Sequence, residues 1–222
     1  MAALAPLLRG SLQGHPIASR FAEEVHRVHR RYAAEVIARN HLCPFLRDVD
    51  TGFGRFCVML DAEPDVPTAI EAVLAAGTSV VHLVYPCTTG PSSPFEKFAG
   101  KLGAALKTAL PEAPVMATFH PALAGDGSNA FRLVGLLRRA PDPFVQLIPE
   151  GLHQGGTMFV TAADVEAATT GRPRDPAEAN FAKMHGGFLE KLVALMAEIR
   201  ADRDRSYAPF LEELGVAQTQ RA

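Results

Sequence analysis

Hydrophobic residues recur at intervals of three and four along the first part of the chain, the spacing of one helical face. The recurring positions are Phe21, Val25, Val28, Tyr32, Val36 and Ile37. A proline disfavours helical geometry in the residue before it, so Pro44 requires this helix to stop at or before Cys43. The pattern predicts a long N-terminal helix over about residues 17–40, with Cys43 in the loop at its exit.

The next part of the chain alternates short apolar runs with helix-length segments. The runs at 55–60, 79–85 and 114–119 contain β-branched and aromatic residues, and the second is almost continuously apolar, as in a strand buried on both faces. The segments at 67–76 and 94–110 have helical character and a proline near their first turn. This alternation predicts consecutive βαβ units whose strands share one sheet.

The second half of the chain continues with mixed elements. A helix is predicted around 130–139, and two shorter strands are predicted at 143–149 and 157–162. An aspartate followed by a proline then indicates the start of a long helix over about 175–203. The glycine pair at 186–187 weakens its interior, which predicts a bend or a close helix contact there.

The predicted fold is therefore an α/β fold with a single sheet built from βαβ units, flanked by long N- and C-terminal helices. Residues 1–16 are interpreted as an N-terminal extension, 17–170 as the α/β domain, and 171–222 as a C-terminal helical extension.

Composition excludes several classes of protein. With 222 residues, 48% of them hydrophobic, the chain is long enough to bury a sizeable core. A formal net charge of -2 provides no overall basic field, which argues against a dedicated nucleic-acid binder. No apolar stretch reaches the roughly 18 residues that a membrane span needs. A small-molecule ligand is thus the expected partner, with neither nucleic acid nor membrane.

The cysteines bear on the cellular compartment. Cys43, Cys57 and Cys87 are an odd number, widely spaced and without a CxxC pair, which argues against a disulfide framework or a structural zinc site. Reduced thiols fit a cytoplasmic protein, and the N-terminal residues show no convincing signal for export.

Candidate chemistry is expected where the strands end, because open α/β sheets bind ligands beyond the carboxyl ends of their parallel strands. His120 follows the strand predicted at 114–119, and Cys43 leads into the loop before the first strand of the βαβ series. If the N-terminal helix packs across that edge, the Cys43 thiol and the His120 imidazole come together. Such a pair supports nucleophilic catalysis, in which the imidazole takes the thiol proton.

Two other interpretations of these residues stay open. With His41, Cys43 and His120 can ligate a transition metal, since imidazole and thiolate suit zinc, copper or iron. Alternatively, Cys43 is a small buried hydrophobic residue and His120 a strand-end histidine bonded to a backbone carbonyl.

A second histidine set lies on the N-terminal helix. Glu23, His26 and His29 follow one another at intervals of three, so their side chains can project together. Helical ligand sets of this kind need partners from facing helices, and no second Glu-x-x-His is present. Metal binding there is a weaker hypothesis than the Cys43 site.

The loop after the third predicted strand supplies candidate substrate-binding residues. Asp126 and Asn129 can orient a ligand, although both are also common turn formers. Arg132 or Arg138 can hold an anionic group of a substrate through paired hydrogen bonds.

Several short motifs occur together and in order: "NHLCPF", "VVHLVYP", "TFHP", and an Asn and Arg followed by "LLR". Over roughly residues 30–150 the chain resembles the bacterial domain-of-unknown-function family 1415. The resemblance places the family's motif positions on Leu42, Cys43, Pro44, Phe45, Phe119, His120, Pro121, Leu136, Leu137 and Arg138. The chain departs from the family at 129–132, where Asn-Ala-Phe-Arg replaces the start of Asn-Arg-Ser-Pro-Tyr-Pro. Because the family is uncharacterised, the resemblance implies positions and no reaction.

The sequence leaves two classes of function open. The first is a cytoplasmic small-molecule enzyme with a Cys43 and His120 site and with substrate contacts from Asn129, Arg132 or Arg138, acting either without a metal or with a transition metal as cofactor. The second is a non-catalytic binding or assembly protein, or a metal-binding protein that uses histidine and cysteine ligands. The reaction, the substrate and the oligomeric state are not predicted.

Overall fold

The computed structural model describes residues 5–43, 46, 54–77, 80–149 and 176–216. The strands in these ranges are β1 Leu7–Arg9, β2 Arg55–Met59, β3 Val81–Val84, β4 Val115–Phe119 and β5 Phe144–Ile148. The helices are α1 Ala18–Tyr32, α2 Val66–Ala76, α3 Ser92–Ala109, α4 Ala130–Leu137, α5 Pro176–Phe181 and α6 Phe188–Glu213. A π-helical segment, Ala33–Ala38, continues α1.

The strands form one mixed sheet in the order β1-β2-β3-β5-β4. β1, β2 and β3 are parallel neighbours, whereas β5 is antiparallel to β3 and to β4. The predicted α/β fold with a single sheet is confirmed, and α2 and α3 are the two predicted connections of the βαβ units. The pattern did not predict β1, which is only three residues long and lies at an edge of the sheet.

β5 enters the sheet at the end where β4 leaves it. Phe144, the first residue of β5, pairs with Phe119, the last residue of β4. The connection over residues 120–143 contains the eight-residue helix α4 and leads back to the end of the sheet that β4 has just left. Consequently β5 enters between β3 and β4 and runs against both.

Local sequence signals fix the ends of the helices. The Asp65 carboxylate accepts a hydrogen bond from the Thr68 backbone N–H at the start of α2, and that helix ends at Gly77, whose φ is +80°. At the start of α4, the Asn129 side-chain oxygen accepts from the Arg132 backbone N–H. Both are N-cap bonds that satisfy otherwise unpaired helix donors.

Two hydrophobic cores lie on opposite faces of the sheet. One joins α1 and α6 to sheet residues such as Phe56 and Phe144. The other joins α2 and α3 to alternate residues of the same strands, such as Cys57 and Val145. Strand residues therefore send neighbouring side chains into different cores.

The predicted C-terminal helix is interrupted. It divides into α5 and α6, and the chain between them contains Gly186 and Gly187, with φ of +59° and +78°. The predicted break at the glycine pair is confirmed, while α6 continues ten residues beyond the predicted end, to Glu213. The predicted strand at 157–162 lies outside the described residues, as does the aspartate predicted to cap α5.

The long helix α6 packs along α1. The Phe21 ring meets Tyr207 edge to face, with centroids 5.1 Å apart, and stacks on Phe210 at 5.3 Å. Among the described helices, none combines the length and the apolar character that crossing a membrane requires.

Candidate functional site

A cavity of about 320 Å³ lies between the α1 side of the sheet and the helices that cover it. The described lining includes residues of α1 and the π-helical segment, of β2 to β5, of α4 and of α5. Most of the lining is apolar, and a few polar side chains interrupt it. This combination is typical of small-molecule sites.

The helical side of the cavity comes from α1 and its π-helical continuation. His29, Tyr32, Ala33 and Ile37 follow at intervals of one, three and four residues and share the face that lines the cavity. The wider winding shows in the backbone bond from the Arg39 N–H to the Ala34 carbonyl, five residues back. π-Helical turns occur often at functional sites.

The helix exit places Leu42 and Cys43 in the cavity lining. The Asn180 side-chain amide of α5 donates to the Leu42 carbonyl over 2.8 Å, and the Lys183 ammonium donates to the His41 carbonyl over 2.7 Å. These bonds hold two consecutive carbonyl groups of the exit turn. Pro44, predicted to end the helix, lies outside the described residues, as does Phe45.

An aromatic row connects two polar groups of the lining. The guanidinium of Arg138 lies over the Phe119 ring, 5.7 Å from its centroid. Phe119 stacks on Phe144 with ring centroids 4.1 Å apart, and the centroids of the Phe144 and His29 rings are 5.5 Å apart. The cavity therefore has a cationic end at Arg138 and an imidazole end at His29.

The positive charge of Arg138 can act on a ligand that binds in the cavity. Its side chain is partly buried, and burial lowers the pKa of its guanidinium, with a smaller opposing effect from Tyr32. No acidic side chain among the described residues forms an ion pair with it. A cation that is desolvated and lacks a counter-ion favours an anionic ligand.

His29 belongs to a buried polar network. Its Nε2 atom lies 3.0 Å from Oδ2 of Asp142, which also accepts a hydrogen bond from the Tyr207 hydroxyl. Arg203 donates to the other carboxylate oxygen over 2.8 Å and to the Pro86 carbonyl over 2.9 Å. Asp142 has no exposed surface, so its charge is balanced within the protein.

The ionisation of Asp142 settles the direction of these bonds. Burial alone would raise the pKa of its carboxyl, but the charge of Arg203 and the His29 bond outweigh burial and hold that pKa well below its usual range. An ionised carboxylate only accepts hydrogen bonds. His29 therefore donates through Nε2–H, and when its ring is neutral the basic nitrogen is Nδ1.

A second imidazole lines the same end. His82 of β3 and Gln146 of β5 are directly opposed in the sheet, and the Gln146 amide nitrogen lies 3.0 Å from Nε2 of His82. The His82 ring also meets Phe144 at 5.8 Å. Both His82 and Gln146 line the cavity.

His120 does not lie with Cys43. Its neighbour Phe119 lines the cavity, whereas the His120 ring packs at 5.8 Å from Phe95 of α3, on the other face of the sheet. Its Nδ1 atom accepts a hydrogen bond from the Ala122 backbone N–H. The sequence interpretation placed His120 at the correct strand end, but alternation along the strand sends its side chain away from Cys43.

The metal hypotheses are not supported by the geometry. Across the described residues, which include His41, Cys43 and His120, no three or more histidine, cysteine, aspartate or glutamate side chains form a group that can hold a metal ion. The same finding applies to Glu23, His26 and His29 on α1. His41 is exposed, Cys43 lines the cavity and His120 is buried on the opposite face, which separates the proposed ligands.

Two of the three predicted substrate-binding residues have local structural roles. Asn129 caps α4, and Arg132 pairs with Asp126 at the protein surface. Neither is among the residues that line the cavity, whereas Arg138 is. The structure therefore brings Cys43 and Arg138 to one cavity and leaves Asn129 and Arg132 outside it.

No protein-family model, curated protein or solved structure matches this chain. The resemblance to family 1415 stays a prediction based on its motifs. Five of the motif positions line the cavity: Leu42, Cys43, Phe119, Leu137 and Arg138.

Sequence reasoning missed the other polar groups of the site. His82 was read only as part of a buried strand, and Asp142 was not considered. His29 was considered as a metal ligand only. A signal for His29 was present, because it lies between Val25 and Tyr32 on the apolar face of α1, where a histidine must be buried and needs a partner.

Proposed function

We propose that the protein is an enzyme that binds a small anion with an apolar body in this cavity and acts on it through the Cys43 thiol. The observation that carries the proposal is Arg138, a partly buried cation in the cavity lining without an acidic partner among the described residues. A guanidinium binds carboxylates and phosphates through two parallel hydrogen bonds, which favours an anionic substrate group.

The cavity itself limits the rest of the ligand. Its volume of about 320 Å³ is near the lower end for ligand pockets. The aromatic pair Phe119 and Phe144 offers stacked apolar surface next to the cation. A small molecule with an apolar or aromatic body matches this surface.

Cys43 is the thiol best placed for chemistry. It is partly exposed and lines the cavity, while Cys57 and Cys87 are buried and burial raises their pKa values to about 11 and about 12. Since the thiolate is the reactive form, the two buried cysteines are inert at neutral pH. None of the three cysteines forms a disulfide bond, which is in keeping with a cytoplasmic location as part of the proposal.

The experiment compares two alkylating reagents of similar size that differ in charge, the anion iodoacetate and the neutral iodoacetamide. Each forms an S–C bond with a thiolate and releases iodide, but only iodoacetate carries a carboxylate for Arg138. We expect Cys43 to be the labelled residue, and we expect Arg138→Met to lower the ratio of the two labelling rates by about tenfold, the equivalent of 1.4 kcal/mol. Arg132→Met is the matched control, because Arg132 is exposed and paired with Asp126.

The ratio separates the alternatives. An unchanged ratio in Arg138→Met shows that Arg138 does not hold the anion. Cys43 that resists both reagents until the protein unfolds shows a packed cysteine, and the protein is then a non-catalytic binding or assembly protein. An iodoacetate preference that persists in Arg132→Met and disappears in Arg138→Met supports the proposal.

A further inference from the structure

The imidazole end of the cavity holds a second group suited to chemistry. His29 lines the cavity. The ring centroids of Phe56 and Phe144 lie 5.4 and 5.5 Å from the centroid of its imidazole. Its Nε2 atom is held by Asp142, and among the described residues no hydrogen bond reaches Nδ1. The ring is thus oriented by one nitrogen while the other carries a lone pair.

Asp142 is itself held in place by two residues of α6 as well as by His29. Arg203 and Tyr207 of α6 bond to its two oxygens, and the Arg203 guanidinium also lies 4.5 Å from the centre of the Tyr207 ring. These contacts keep the carboxylate beside His29 with little freedom to move. A fixed carboxylate on one imidazole nitrogen sets the tautomer and stabilises the imidazolium formed when the other nitrogen takes a proton.

We propose that His29 is a second catalytic residue of the cavity and accepts a proton at Nδ1 from the bound molecule. The inference rests on the proposed function, because it requires an anion held at Arg138. It also narrows the substrate class to small anions whose apolar body carries an O–H acid, such as a phenol or an activated hydroxyl, away from the anionic group.

The proton transfer is balanced within the site. The O–H bond of the bound molecule breaks and leaves its electron pair on oxygen, while the Nδ1 lone pair forms the new N–H bond. The resulting imidazolium remains hydrogen bonded to Asp142, which stays ionised and serves as a positioning residue. The step needs no oxidant, reductant or second substrate.

His82 is the competing base at the same end. Its Nε2 atom is next to the amide of Gln146, which is uncharged. A neutral amide stabilises an imidazolium less than a carboxylate does, because only the carboxylate offsets the new positive charge. The Asp142 carboxylate therefore favours His29 as the base.

The test uses two probes that differ in one proton. The first is a propionate that carries a nitrophenol ring, whose phenolate absorbs visible light; the second is its methoxy counterpart, which has no acidic hydrogen. Both present a carboxylate to Arg138 and an aromatic ring to Phe119 and Phe144. We expect the bound nitrophenol to ionise at a pH about one unit lower than the free probe.

Variants then separate the two proposals. His29→Phe should abolish most of that shift and change the affinity for the methoxy probe by less than about threefold, whereas Arg138→Met should weaken both probes by about tenfold. If neither probe binds the parent protein, the cavity proposal fails. If both bind through Arg138 and the ionisation shift is unchanged in His29→Phe, the role of His29 is wrong and the cavity proposal stands.

A measurement on the unmodified protein covers the case in which His29→Phe does not fold. Nitrogen NMR distinguishes protonated from bare imidazole nitrogens, and we expect His29 to carry its proton on Nε2 in the free protein. Adding the nitrophenol probe should protonate Nδ1 of His29, and the methoxy probe should not. Protonation of His82 instead, or an Nδ1–H already present in the free protein, overturns the inference.

Discussion

The Nε2 atom of His29 lies 3.0 Å from Oδ2 of Asp142, although 113 positions separate the two residues in the chain. The bond joins α1 to the loop before β5, and Arg203 joins the same carboxylate to α6. The contact that orients a cavity residue is therefore also a contact that holds the two long helices against the sheet. Stability and the geometry of the site depend on the same buried charges.

The Arg203 and Asp142 pair predicts a large loss of stability on substitution of the arginine. Arg203→Met leaves the Asp142 carboxylate buried without its cation, and breaking a buried pair in this way lowers the free energy of unfolding by about 3–5 kcal/mol. Urea denaturation of the parent and the variant measures the difference.

Arg27→Met is the matched control. Arg27 also forms an ion pair with α6, through Asp202, but its side chain is 45% exposed. Water screens such pairs, so its loss should change the free energy of unfolding by no more than about 1 kcal/mol. Equal losses in the two variants would show that burial of Asp142 does not determine the effect.

The lowered pKa of His26 leads to a prediction about the pH dependence of stability. Burial lowers the pKa of the His26 imidazole to about 4, with a further contribution from the charge of Arg30, compared with 6.5 for an unperturbed histidine. Between these values the unfolded chain binds more protons than the folded protein. The free energy of unfolding should therefore decrease as pH falls from about 6.5 to about 4.

Substitution tests this origin of the slope. His26→Gln cannot titrate, so its free energy of unfolding should depend less on pH over the same window. Loss of the His26 contact with Phe56, whose ring centroid is 4.9 Å away, lowers stability at every pH and leaves the slope unaffected. A parent and a variant with identical slopes would assign the pH dependence to other groups.

The elements that could be predicted from the sequence are those whose buried positions recur at regular intervals. Strands β2, β3 and β4 and helices α2 and α3 were predicted because apolar runs and helical segments alternate. β1 was not predicted, because three residues are too few to show the hydrophobic pattern of a strand. The direction of β5 also escaped prediction, because it depends on where the connection from β4 re-enters the sheet.

The site was predictable only in part. Cys43 was located by the proline that follows it, and Arg138 by a motif. The pairing of Cys43 with His120 requires knowing to which face of the sheet the His120 side chain turns, and one position along a strand reverses that face. The partnership of His29 with Asp142 arises from tertiary packing, for which no local pattern exists.

A close backbone contact at Gly135 predicts a second stability effect. A Cβ atom at Gly135 would meet the carbonyl oxygen of Ala124, where the loop after β4 crosses α4. Backbone cannot yield as a flexible side chain can, so Gly135→Ala should lower the free energy of unfolding by about 1–3 kcal/mol. Thermal and urea denaturation provide the measurement.

Gly100→Ala is the corresponding control in an open position. Gly100 is exposed within α3, and a Cβ atom there has no described atom within 4 Å. Alanine favours the helix over glycine, so this variant should gain about 0.5–1 kcal/mol. Stabilisation of both variants would mean that the loop moves away from α4 without penalty.

The break between α5 and α6 predicts the consequence of replacing its glycines. Gly186 and Gly187 have φ of +59° and +78°, a backbone region that L-residues with a Cβ atom rarely adopt. The double variant to alanine should lose about 1–2 kcal/mol for each residue that keeps this conformation. A double variant to asparagine should lose less, because asparagine tolerates the left-handed region, and it controls for the added side chains. Melting temperatures of the three proteins give the order, with the parent highest and the alanine variant lowest. A double-alanine protein that melts above the parent would show that α5 and α6 do not require the left-handed turn, and that the two glycines are incidental to the break.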